Sequence, residues 1–191
     1  SFWRAMTDND TGASEPYNLA QWYSAGKFAK YKTVSWLEQE DALKITFTYQ
    51  AACIPTFEFT VTYTAHFDGK LGVCVNYAGV SGMPDMPVLA LDFKMKKQLC
   101  NFRYYGLGPD ENYSDRCKGA RLGLWKSTAK ENLSGYLNPQ ECGNRTGVRT
   151  LSVHDDMQHG LTFQKASAPF EMSVLPYSAY ELENAMHLDE L

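Results

Sequence analysis

Leu43-Lys-Ile-Thr-Phe-Thr-Tyr-Gln50, Phe57-Glu-Phe-Thr-Val-Thr-Tyr-Thr64 and Leu71-Gly-Val-Cys-Val-Asn-Tyr77 alternate apolar and polar residues with a period of two. That period is the mark of strands with one face turned to a core, because successive side chains on a strand point to opposite sides. Asp68-Gly69 stands between the second and third runs and supplies the chemistry of a two-residue type I′ hairpin. The stretch predicts an antiparallel sheet. Its threonines suit a face that is solvated or turned to a ligand.

Working outward, Leu89, Leu91, Phe93 and Met95 resume the alternation after a break from Gly79 to Pro87 rich in Gly and Pro. Phe102–Tyr105, Val148–Val153, Gly160–Gln164 and Phe170–Leu175 predict further strands. Helix is scarce. Leu19, Trp22 and Tyr23 at i, i+3, i+4 allow a short helix within residues 16–30, and Ser178-Ala-Tyr-Glu181 is a capping box ahead of Leu182, Ala185 and Met186. Residues 106–147 carry Gly, Pro, Asn and Asp without either period, which predicts irregular loop at one end of the sheets. So long a polar loop in a compact β domain carries function or docks on another domain.

The first ten residues read as a strand end followed by an Asx-type turn. Arg4, Asp8 and Asp10 are expected to form a structural polar cluster there, since groups so polar beside Phe2 and Trp3 need partners.

With 191 residues, 44% of them hydrophobic and 14% aromatic, the chain is one domain's worth and able to bury a core. A net charge of −4 without a basic run disfavours nucleic acid and anionic membranes. No apolar stretch is long enough for a membrane span. The chain opens without Met or a signal peptide, so it reads as a piece of something longer. Five cysteines (Cys53, Cys74, Cys100, Cys117, Cys142) without a C-x-x-C pair disfavour zinc, and an odd thiol count suits a reducing cytosol.

His66, His154, His159 and His187 lack metal-ligand spacing, so no metal site is expected. The sequons at Asn9, Asn112, Asn132 and Asn144 are read as coincidental. Carboxylates cluster in the polar loops at Asp110, Glu111, Asp115 and Glu141, where pairing with Arg103, Arg116, Arg121 and Arg145 is the expected use. Trp3, Trp22, Trp36 and Trp125 are expected in core or interface rather than as sugar platforms.

Four collinear segments carry a family resemblance. They are Phe2-Trp-Arg-Ala-Met-Thr-Asp-Asn-Asp10, Tyr105-Gly-Leu-Gly-Pro-Asp-Glu-Asn-Tyr-Ser-Asp-Arg116, Tyr136-Leu-Asn-Pro-Gln-Glu-Cys-Gly-Asn-Arg145 and Pro176-Tyr-Ser-Ala-Tyr-Glu-Leu-Glu-Asn-Ala-Met-His187. Together they resemble the C-terminal domain of family 2 β-galactosidases, which in some bacteria is part of a separate small subunit. The resemblance covers essentially the whole chain.

It implies an all-β, antiparallel supersandwich of the galactose mutarotase-like type with few short helices. Residues 1–191 would be a single such domain, truncated at both ends relative to the family's. The implied role is non-catalytic: completing the active-site rim and quaternary contacts of a cytoplasmic, oligomeric β-galactosidase that hydrolyses terminal β-galactosides such as lactose. The catalytic glutamates of that enzyme lie in a (β/α)₈ barrel absent here, so no catalytic residue is assigned. The family's substrate-contacting tryptophan falls in a Gly-Asp-Asp-Ser-Trp-like segment beyond Leu191.

The implied partners are the remaining β-galactosidase domains or a large subunit, with the galactoside met only through the complete enzyme. No cofactor is expected in this chain, and any magnesium or sodium of the parent enzyme would sit elsewhere. Glu111, Asn112, Asp115, Arg116, Glu141 and Arg145 are the candidate sugar-facing or domain-docking residues. An aldose 1-epimerase-like enzyme and a free-standing carbohydrate-binding module are the alternatives. Mutarotation of galactose would mark the first, and saturable binding of galactose or lactose the second.

Overall fold

The computed structural model describes residues 1–191. The protein is all-β, with antiparallel sheets and only short helices. Its internal contacts divide it into two compact units, Ser1–Arg4 with Asn9–Asp92, and Ala5–Asp8 with Phe93–Leu191.

In the first unit α1 (Asp8–Gly12) leads into α2 (Glu15–Lys27), and then β1 (Lys30–Glu38), β2 (Ala42–Gln50), β3 (Glu58–His66) and β4 (Leu71–Tyr77) form a meander in that order. The period-two runs thus become β2, β3 and β4, with Ile45 opposite Tyr63, Phe47 opposite Val61 and Tyr63 opposite Val73. Residues opposite one another share a face, so the apolar set lies on one side and the threonines on the other. Thr46 and Thr62 hydrogen-bond across the polar face at 3.0 Å.

One end of the apolar face is covered. Trp22 of α2 and Phe2 pack with Phe57, Phe59 and Tyr77, the Phe2–Phe59 rings meeting edge-on at 4.9 Å. The Trp22 indole N–H donates to the Pro84 carbonyl at 3.0 Å, which satisfies the polar end of a buried ring. Pro at the first turn of α2 fits the position where a helix needs no N–H.

Four local expectations are corrected. β1 is an additional strand, missed because its side chains are exposed throughout and show no buried period. Leu89–Met95 forms no strand; Ala90 N donates instead to the Ser1 carbonyl at 3.0 Å. The N-terminal segment is not a strand end, and Asp8–Gly12 is helical. The β3–β4 turn is three residues rather than two. Gly69 N donates to the His66 carbonyl and His66 N to that of Lys70, with φ positive only at Gly69. A type I′ turn needs positive φ at both central residues, which Asp68 does not adopt.

In the second unit a four-stranded sheet has the order β6-β5-β8-β9, where β5 is Asn101–Gly108, β6 Arg121–Thr128, β8 Thr150–His154 and β9 Gly160–Gln164. A smaller ladder pairs β7 (Arg145–Val148) with β10 (Phe170–Met172). Val148–Val153 is therefore two strands, interrupted at Arg149. The core is Phe102, Tyr104, Val148, Leu151, Val153 and Met172, against which Trp125 and Phe163 pack.

The expected loop at 106–147 contains β6, paired with β5 along its whole length. Leu122 and Leu124, which would have marked the core face, point outward instead, while Gly123 and Trp125 take the inner positions. α3 (Ala179–Asn184) starts at the expected capping box. Glu181 N donates to Ser178 Oγ at 3.3 Å, and Ser178 N donates to Glu181 Oε2 at 2.7 Å.

Candidate functional site

The loops joining β5, β6 and β7 form a polar cradle organised by two acceptors, Glu111 and Asn112. The Glu111 carboxylate accepts from Ser134 Oγ at 2.8 Å, the Tyr136 hydroxyl at 2.9 Å, Arg116 Nη2 at 2.9 Å and Gly143 N at 2.5 Å. Burial pushes this carboxyl up, but those four donors outweigh it, and its pKa lies below the ordinary glutamate value. Glu111 is an anion with its lone pairs occupied. It is ill suited to act as a general acid.

Asn112, 2% exposed, is tied on every side. Its amide donates to the Leu107 and Asp110 carbonyls at 3.1 and 2.9 Å, and its Oδ1 accepts from Thr146 N at 3.0 Å and Thr146 Oγ1 at 2.6 Å. Asn112 N donates to the Asn144 carbonyl and Asn144 Nδ2 returns a bond to the Asn112 carbonyl, both at 3.0 Å. Arg145 is also buried, its Nε donating to the Tyr104 hydroxyl at 3.0 Å and to the Pro109 carbonyl at 2.9 Å. Its Nη1 donates to the Gly143 and Asn144 carbonyls at 3.2 and 3.0 Å. The expected carboxylate pairing is replaced at Arg145 by carbonyls, whose converging oxygens match the guanidinium fork without a second charge.

Arg116 stands apart. It is 55% exposed, its guanidinium lies 4.4 Å over the Tyr113 ring, and only Nη2 is used within the chain, towards Glu111 and, at 3.5 Å, the Tyr136 hydroxyl. Asp115 is exposed beside it and Glu141 is half-buried. Burial, with the Glu141 and Glu111 charges adding to it, pushes the Tyr113 phenol far up, so it stays neutral at any physiological pH. Its hydroxyl is buried without a hydrogen-bond partner. Of the six candidates, the structure makes Asn112 and Arg145 internal struts, Glu111 a mostly buried anchor, and Arg116 and Asp115 the outward ones.

Arg4 forms a bidentate ion pair with Asp10 at 2.7 and 3.2 Å, while Asp8 Oδ2 accepts from Gln140 Nε2 at 3.0 Å and Asp8 N donates to Gln140 Oε1 at 3.2 Å. Sequence reasoning missed Ser134, Tyr136, Gly143 and Thr146 as cradle members, and Gln140 as the partner of Asp8. Gln140, Tyr136 and Gly143 lie in the quoted Tyr136–Arg145 motif, but nothing local in Ser134 or Thr146 signals a partner more than 20 residues away.

Asn112, Asn132 and Asn144 are buried with their amides donated to backbone carbonyls, which removes three of the four sequons as glycan acceptors in the folded chain. Trp3 and Trp22 are core residues. All five cysteines are free. No group of three or more His, Cys, Asp or Glu side chains is placed to hold a metal ion, and no helix is long and apolar enough to cross a membrane.

The family model described as "Beta galactosidase small chain" matches residues 1–191. The chain belongs to the β-galactosidase small-chain family. It is 38% identical over 191 residues to a β-galactosidase of Streptococcus thermophilus, matching all of this chain and 19% of that protein. A β-galactosidase of Lactobacillus delbrueckii subsp. bulgaricus is 40% identical over 191 residues, again with 19% of its length matched. The β-galactosidase small subunit of Latilactobacillus sakei is 34% identical over 221 residues, which takes in all of this chain and 69% of that subunit. The chain thus spans about a fifth of the length of these two β-galactosidases.

Proposed function

We propose that this small-chain domain is a non-catalytic part of a family 2 β-galactosidase and that its outward Arg116 borders the active site or docks on the catalytic portion. The observation that carries it is the preorganised Arg116 guanidinium. Tyr113 beneath it and Glu111 beside it fix the plane, while Nε and Nη1 make no bond within the chain. A planar donor held this way suits sugar hydroxyls or a carboxylate of another domain, and little rotamer freedom is lost when it is used.

The reading extends to a cytoplasmic enzyme of lactose breakdown, oligomeric and acting on terminal β-galactosides, with a galactose mutarotase-like supersandwich as the complete domain. Residues 1–191 make up one part of that domain. The rest of the enzyme supplies the acid/base and nucleophile carboxylates. In support, the Glu111 carboxylate is held ionised by four donors.

The test is cleavage of a nitrophenyl β-galactoside. Residues 1–191 alone should leave it intact, and the complete enzyme carrying them should cleave it. Turnover by the isolated chain above that of a denatured control overturns the reading. Mutarotation of galactose by the isolated chain would overturn it in favour of an epimerase.

A further inference from the structure

Four side chains form a row across the sheet of the second unit. Lys126 of β6 stands opposite Arg103 of β5, Arg103 opposite Ser152 of β8, and Ser152 opposite Thr162 of β9, so all four share one face. Phe102, Tyr104, Leu151 and Val153 take the other face, in the core. Two cations directly opposite on neighbouring strands repel one another. No ion pair within the chain offsets this. Its Lys and Arg ion pairs are Arg4–Asp10, Lys32–Glu58, Lys70–Asp68 and Arg116–Glu111, which leave out Arg103 and Lys126. In a chain with a net charge of −4, that is a local rule broken without an internal gain, as happens at functional sites.

Beside this row lies a cavity of about 60 Å³, lined by Arg103, Ser152, His154, Gln158 and Thr162 among others. One water needs roughly 10–15 Å³ of such space, so the cavity fits a group of several heavy atoms. Its polar groups are rich in donors. Ser152 Oγ and Thr162 Oγ1 lie 2.9 Å apart, which uses one hydroxyl hydrogen and leaves the other. Gln158 Nε2, 3.2 Å from His154 Nδ1, keeps a second N–H, and Arg103 brings its planar fork. No lining residue is acidic. The acids of the adjoining β8–β9 turn are engaged: Asp155 Oδ1 accepts from Met157 N and His159 N, and Asp156 Oδ1 from Asn101 Nδ2, each at 2.9 Å. We propose that this cavity binds a phosphate dianion. Arg103 meets two of its oxygens in a bidentate contact, the hydroxyl pair and Gln158 meet the others, and Lys126 supplies a second positive charge from the next strand. A phosphate group carries a charge of about −1.5 to −2 near pH 7, which matches two cations where a carboxylate matches one.

Labelling of arginines with phenylglyoxal in the full-length protein that carries residues 1–191, read by peptide mass spectrometry, tests this. Inorganic phosphate is titrated against chloride at constant ionic strength. Labelling of Arg103 should slow as phosphate rises, about tenfold at ten times the half-protecting concentration, by the factor 1 + [L]/Kd. Arg121, which alternation along β6 puts on the opposite face from Lys126, should label at an unchanged rate. Acetate at the same concentrations should protect Arg103 far less. In Lys126→Gln, whose melt checks that it folds, the half-protecting phosphate concentration should rise about tenfold, the effect of one charge-assisted contact. An Arg103 that phosphate does not protect, or that does not label without phosphate, overturns the proposal. So do equal protection of Arg121, equal protection by acetate, and a Lys126→Gln protein that phosphate protects as well as it does the wild type.

Discussion

The Glu111 carboxylate accepts the backbone N–H of Gly143, 32 residues further along the chain, at 2.5 Å. One side chain thereby fastens the β5–β6 loop to the strand entry of β7, and the same carboxylate holds Ser134, Tyr136 and Arg116. The cradle is a closed hydrogen-bond network with an anion at its centre.

Glu111→Gln should therefore destabilise the protein by about 1–3 kcal/mol, the range for breaking buried charge-assisted hydrogen bonds. The pH dependence has a definite sign. The folded-state pKa of Glu111 lies below the ordinary 4.5, so its stabilisation is fully present above about pH 4.5 and is lost as pH falls through the lower folded value. Denaturant midpoints at pH 7 and pH 3 check this: the gap between wild type and Glu111→Gln should shrink at the lower pH.

Asn112→Ala removes an amide that donates to two carbonyls and accepts from both Thr146 donors. Four groups lose partners in a site closed to water. A loss on the order of 2–4 kcal/mol is expected, read from the urea midpoint with the slope unchanged.

How much of this was legible in the sequence follows from the range of the forces involved. The β2–β4 meander and the Ser178 capping box are set by neighbours within a few residues, and Ile45, Phe47 and Glu181 announced them. β1 and β6 were not legible because Trp36, Leu122 and Leu124 are apolar yet exposed, so burial wrote no period there. The same holds for the cradle. The family motifs brought Glu111, Asn112, Arg116 and Arg145 into view, but the division into buried struts and one outward guanidinium depends on contacts spanning as many as 41 residues. Polarity alone cannot rank such residues.

Gly143→Ala should be far more damaging than Gly119→Ala. At Gly143 φ is +73°, and an added Cβ would stand 2.7 Å from the Asn132 carbonyl oxygen, a backbone atom that cannot turn away. Left-handed strain alone costs roughly 1–3 kcal/mol, and the clash adds to it. At Gly119 an added Cβ meets nothing within 4 Å. Thermal melts of the two variants should differ clearly, with Gly119→Ala close to wild type; equal melts would show the Gly143 turn to be adaptable.

Arg116→Ala separates a functional role from a structural one. The guanidinium is more than half exposed, and exposed ion pairs contribute at most about 1 kcal/mol, so the melt should move little. If Arg116 borders the active site or docks on the catalytic portion, the complete enzyme should lose about tenfold or more in kcat/KM, the effect of one charge-assisted hydrogen bond. Arg116→Lys should fail to rescue, because a single ammonium can neither lie flat on Tyr113 nor present the planar pair of donors. A rise in KM at constant kcat would place the contact on the bound galactoside, whereas a loss restored by raising the concentration of the separate catalytic portion would place it at the docking surface. An Arg116→Ala enzyme with unchanged kinetics would reduce Arg116 to a surface neighbour of Glu111.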